Sequence, residues 1–116
     1  MDTLEGYAPL EGVLRDAYEQ ASAGKGSVRH ALEGQPWLQQ QWTQLADTYG
    51  DGFLLGQATK KTNESQGMDD TAAYHELLGA INYLAMAAYR RKAEIETAAT
   101  STIWACNIYR NTNEDD

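Results

Sequence analysis

The sequence predicts an all-α protein, a helical bundle of four to five helices with a long C-terminal helix. Three observations predict it. Apolar residues recur at helical rather than strand spacing along most of the chain. Glycines fall between those stretches and punctuate them. Residues 71–110 hold no proline and a single glycine, Gly79. At 116 residues the chain makes one domain, expected over 1–111 and followed by an acidic flexible tail over 112–116. A domain of this size holds a modest core, to which partners often add. Hydrophobic residues make up 42% and charged residues 22%, which places the chain among globular rather than disordered sequences.

Leu10, Val13, Leu14, Ala17, Tyr18 and Ala21 mark a first helix, with Pro9 in its first turn and its end at Ala23-Gly24. A second helix begins near Pro36, carries Leu38, Trp42, Leu45, Ala46 and Tyr49 on one face, and ends at Gly50-Asp51-Gly52. The third runs from about Phe53 to Gln66, with Gly67 as a C-cap glycine. Asp69-Asp70-Thr71 supplies capping oxygens and negative charge for a fourth start. From there an apolar stripe runs through Ala73, Tyr74, Leu77, Leu78, Ile81, Leu84, Ala85 and Ala88, and resumes at Ile95, Ala98, Ala99, Thr102, Ile103 and Cys106. A single helix over 71–110 would be about 60 Å long, more than a domain of this size is wide. It therefore breaks near Arg90-Arg91-Lys92 or projects into a partner subunit. A homo-oligomer is expected.

Charge and composition exclude several classes. A net charge of −8 argues against binding duplex nucleic acid, which needs a cationic surface. No apolar run approaches the ~18 residues that span a bilayer, and the acidic start MDTLEGYAPLEG carries no signal-like segment, so no membrane association and a cytoplasmic location are expected. Cys106 is the single cysteine, which suits a reducing compartment and leaves no second thiol for a disulfide.

Most of the nine cations gather in three groups: Lys25 with Arg29, Lys60 with Lys61, and Arg90-Arg91-Lys92. The first lies in GKGSVRH, which is not a Walker A loop, because that motif needs G-x-x-x-x-G-K-[ST] after a strand. Its amides, with Lys25 as a point charge, Arg29 as a planar fork and His30 as a donor, can line an anion; the plainer reading is a solvated turn. In GQATKKTNES, Lys60 and Glu64 are four apart, and a surface ion pair is the plainer reading. Gly56 and Gly79 sit inside helices at a cost of about 1 kcal/mol each relative to Ala, which a close approach would explain. Glu64 and Glu76 are the carboxylates that can face one another across the bundle, and with Asn82 they are candidate metal ligands. Trp37, Trp42 and Trp104 read as core or interface. His30, His75 and Cys106 form no nucleophile–base pattern.

The succession ASAGKGSVRHA, GFLLGQATKKTNES and ELLGAINYLAMA, over about residues 17–88, resembles small phage proteins of a dATP/dGTP diphosphohydrolase-like group, itself distantly similar to the all-α MazG-type nucleoside triphosphate pyrophosphohydrolases. The resemblance implies an oligomeric bundle in which acids on two helices hold Mg²⁺. The chain departs from that pattern. Where the family carries E-E-x-x-E, it offers Gln57, Lys60, Lys61 and only Glu64; where the family carries E-x-x-D, it has Glu76 followed by Gly79 in place of the aspartate. Resemblance and departures together lead us to expect a cytoplasmic, phage-type protein that binds a nucleotide or nucleotide second messenger of host immunity. It would sequester that ligand without hydrolysing it and without a cofactor. Lys25, Arg29, Lys60 and Lys61 would meet phosphates, and His30 and Asn82 would add hydrogen bonds. Two alternatives stand beside it: a Mg²⁺-dependent dNTP pyrophosphohydrolase using Glu64 and Glu76, and an acidic helical inhibitor that occupies the basic groove of a host nucleic-acid-binding complex.

Overall fold

The computed structural model describes residues 4–23 and 35–114, and side-chain surroundings as far as Ser101. GKGSVRH, with Lys25, Arg29 and His30, lies outside the described residues. The protein is all-α. Its described helices are α1 (Ala8–Ala23), α2 (Gln41–Tyr49), α3 (Asp51–Ser65) and α4 (Asp70–Glu114), with one 3₁₀ turn, Trp37–Gln39, before α2.

α4 is the spine. It opens as its sequence dictates: Asp69 caps it, its Oδ1 accepting the Ala72 amide at 2.9 Å, with Asp70 in the first turn against the positive helix end. α3 packs antiparallel along one face of α4. The buried positions of α3 are Leu54, Ala58 and Ser65, and on α4 Ala80, Tyr83, Met86 and Ala87 answer them, with Trp42 and Ala46 of α2 closing the cluster. The aromatic rings lock it: Phe53 meets Tyr83 edge-on at 6.4 Å, and Trp37 lies 4.9 Å from Trp42 and 5.6 Å from Tyr89. α1 crosses the other flank of α4, where Ala17 is buried.

Four details differ from the sequence expectation. The second helix starts at Gln41 rather than near Pro36, because Gln40 is extended and the Trp42 indole N–H reaches back to the Trp37 carbonyl at 2.9 Å, stabilising a separate turn. Leu38 and Tyr49 accordingly lie exposed rather than on the buried face. The break between α2 and α3 is one residue, Gly50 (φ 79°, ψ −178°), a conformation open essentially only to glycine; Gly52 falls inside α3. Gly67 adopts no left-handed conformation; the end of α3 tightens instead through Gly67 and Met68 amides bonded to Glu64 and Ser65 carbonyls at 3.2 Å each. Of the two alternatives for α4, a break at the basic triplet is not seen; the helix runs unbroken to Glu114, into the acidic terminus. The reason is local: Arg90 and Arg91 are matched by Asp47, Asp51 and Glu94, so their mutual repulsion is relieved.

Candidate functional site

Within α3, Leu54, Ala58, Lys61 and Ser65 are spaced four, three and four residues apart, so Lys61 falls on the core-facing stripe and Lys60 does not. Within α4, Glu76, Ala80, Tyr83, Ala87 and Arg90 form the matching stripe. Charged residues thus stand at both ends of an apolar interface, and each end is paired. At one end Lys61 Nζ donates to Glu76 Oε1 at 3.1 Å, with the two side chains only 17% and 21% exposed. At the other, Arg90 Nε donates to Asp51 at 2.7 Å and Nη1 to Asp47 at 2.6 Å. Hydrogen bonds to Asp47 first and Asp51 second push the Arg90 pKa further above its usual value, so the guanidinium stays charged at any working pH.

The Lys61 stem reaches Glu76 by lying across Gly79. A β-carbon at position 79 would stand 3.0 Å from Lys61 Cδ and 3.1 Å from Cε. The mid-helix glycine is therefore explained: the lysine occupies the space that any side chain at 79 would take. Gly56, by contrast, has open space around it, so no close approach accounts for it.

Lys61 and Glu76 form the wall between two clefts. The larger, about 1130 Å³, runs between α1 and α3 over α4, and takes in Gln20, Trp37, Gln40, His75, Asn82 and Tyr83. The smaller, about 440 Å³, takes in Gln41, Phe53, Gln57, Lys60 and Glu64. Both share Lys61, Glu76, Tyr83 and Met86. Charge differs between them. The described lining of the larger cleft holds Glu19, Asp69 and Glu76 against Lys61; the smaller balances Lys60 and Lys61 against Glu64 and Glu76.

Of the described site residues predicted from the sequence, Lys60, Lys61, Glu64 and Glu76 line the smaller cleft and Asn82 the larger. Lys60 is exposed and lies 3.9 Å from Glu64, the surface pair its spacing suggests. Asn82 spends its amide group on α1, donating to the Ala17 carbonyl at 3.0 Å and to Gln20 Oε1 at 3.3 Å. Glu64 and Glu76 reach the same small cleft, but each faces a lysine. Among the described residues no three His, Cys, Asp or Glu side chains gather closely enough to hold a metal ion. Residues not singled out as site residues in the sequence complete the larger cleft. His75 Nδ1–H donates to the Thr71 carbonyl at 3.0 Å, which orients the ring. Trp37 and Gln40 arrive from the turn before α2. No periodicity marks them, because a turn rather than a helix face delivers them.

Compared with protein-family models, curated proteins and solved structures, the chain matches none of them. No family is therefore assigned. No helix is long and apolar enough to cross a membrane among the described residues.

Proposed function

We propose that the protein binds a nucleotide or nucleotide-derived signal across the Lys61–Glu76 wall and does not hydrolyse it. The observation that carries this reading is the contact between Lys61 and Gly79. These are two of the positions at which the chain departs from the acid pattern of the pyrophosphohydrolases it resembles, and the departures fit one another: one position gains a long cation, the other loses its side chain to admit it. Glu76, the remaining acid of the second motif, is engaged by that cation. A carboxylate neutralised by an ammonium at 3.1 Å is a poor ligand for Mg²⁺, whereas the same ammonium can swing toward a phosphate.

Phosphates belong on the smaller cleft, where Lys60 and Lys61 stand, because the larger one is lined with excess carboxylate. The base and sugar belong in the larger cleft, whose volume suits a small ligand and whose groups are those that recognise a base edge: the Trp37 ring, the Gln20 and Gln40 amides and His75. Sequestration of a signal, in a phage-type setting, would use binding of this kind.

Calorimetry against a panel of linear and cyclic nucleotides tests the reading, with and without Mg²⁺. Binding that Lys61→Met weakens at least ~10-fold, with no release of pyrophosphate, is the expected result; that loss corresponds to about 1.4 kcal/mol. No binding by any nucleotide overturns it. Mg²⁺-dependent pyrophosphate release abolished by Glu76→Gln would establish the hydrolase instead.

A further inference from the structure

α4 carries a second apolar stripe that nothing within the described chain covers. Leu77, Leu84 and Ile95 are 41%, 49% and 68% exposed, and they lie with Ile81 and Ala88 on one line of the helix at alternating spacings of four and three residues, with Arg91 filling the one intervening place. That is the a/d seam of a coiled coil. The stripe spans both the half of α4 that packs on α3 and α1 and the half beyond residue 93, where residues 94–101 are exposed on every side.

We infer that this stripe is a dimer seam, covered by α4 of a second copy running antiparallel, with the two-fold axis between positions 89 and 90. Arg91 decides the direction. It occupies a seam position, and a parallel pair would set it against Arg91 of the second copy. An antiparallel pair lays the unpacked half of one α4 along the exposed stripe of the other. Charge then selects the register. An axis at 93 brings Lys92 against Lys92 and Glu94 against Glu94. An axis between 89 and 90 pairs Leu84 with Ile95, Ile81 with Ala98 and Ala88 with Arg91, and places Ala85 and Ala87 beside Lys92 and Glu94. This joins the most exposed apolar residues of the two halves and juxtaposes no like charges. The paired length, from about 77 to 102, is ~40 Å.

The experiment uses the full chain with Cys106→Ser as background. Leu84→Cys and Ile95→Cys, made separately, are oxidised alone and as a mixture, and mass in solution is measured by light scattering. The expected result is a dimer of the 12.8 kDa chain, cross-linked in the mixture as a Leu84→Cys/Ile95→Cys heterodimer and not in either variant alone. Like positions in that register stand at least ~16 Å apart. Leu84→Glu, which touches a residue exposed in the single chain, is expected to weaken dimerisation ~100-fold or more while helicity of the packed half persists. A monomer at every concentration, or cross-linking of Leu84→Cys with itself, overturns the inference.

Discussion

Lys60 and Lys61 are adjacent and chemically identical, yet a helix turns about 100° between them, and this separates a solvated cation from a structural one. Lys60 with Glu64 is an exposed pair worth little. Lys61 with Glu76 is largely shielded, so removing one partner leaves a charge short of a neighbour. Lys61→Met is expected to cost about 1–3 kcal/mol in chemical denaturation, and Lys60→Met less than about 0.5 kcal/mol. Equal effects would refute the distinction. Tyr74 gives a second test. Its hydroxyl donates to Asp16 at 2.6 Å, and that hydrogen bond, with partial burial and the carboxylate's charge, raises its pKa above the ordinary 10.0. A raised value means the folded protein holds the proton more tightly than the unfolded chain. The contribution is therefore complete below about pH 10 and falls as pH climbs beyond it. Thermal melts through that range should show a steeper alkaline loss in the parent than in Tyr74→Phe.

At the scale of the element, three glycines behave differently. Gly50 holds a backbone conformation that other residues reach only with strain, and nothing lies near its missing β-carbon. Gly50→Ala should therefore lose about 1–3 kcal/mol through the backbone alone. Gly56 is helical with equally open surroundings, so Gly56→Ala should gain up to about 1 kcal/mol. Opposite shifts in melting temperature check both. Gly79 stands between these cases, because its alanine would gain helix propensity but push the Lys61 stem aside. Periodicity and capping residues made α1 and the start of α4 legible in the sequence, with Ala17, Trp42, Ala46 and Leu78 among the buried positions. On α4 the stripe read from the sequence was the wrong face: Leu77, Leu84, Ala85 and Ala88 lie exposed, while Ala80, Tyr83, Met86 and Ala87 carry the core. The contacts between helices were not legible there: that Lys61 bypasses its own helix to reach Glu76, and that Arg90 clamps α2 and α3 through Asp47 and Asp51. Such pairings depend on which faces meet, and a helical stripe does not name its partner. The departures at Lys61 and Gly79 were visible as separate residues; their contact was not.

For the whole molecule the decisive feature is elongation. The radius of gyration is 19.3 Å, against about 13 Å for a compact domain of this length, and the longest dimension is 71 Å, close to the length of α4 itself. Residues 94–101 are exposed on every side, and a helical segment without tertiary contacts is marginal in water, so this part of α4 needs a neighbour to persist. Hydrogen exchange resolves this along the chain. Amides from Leu78 to Arg90, which α3 covers, should be strongly protected in both the parent and the Leu84→Glu variant. Amides from Glu94 onward should be protected in the parent at concentrations where it is dimeric and exchange rapidly in the variant, because only the second copy holds that segment. Fast exchange from Glu94 onward in both proteins would mean that no copy of the chain covers the stripe, whatever the mass in solution.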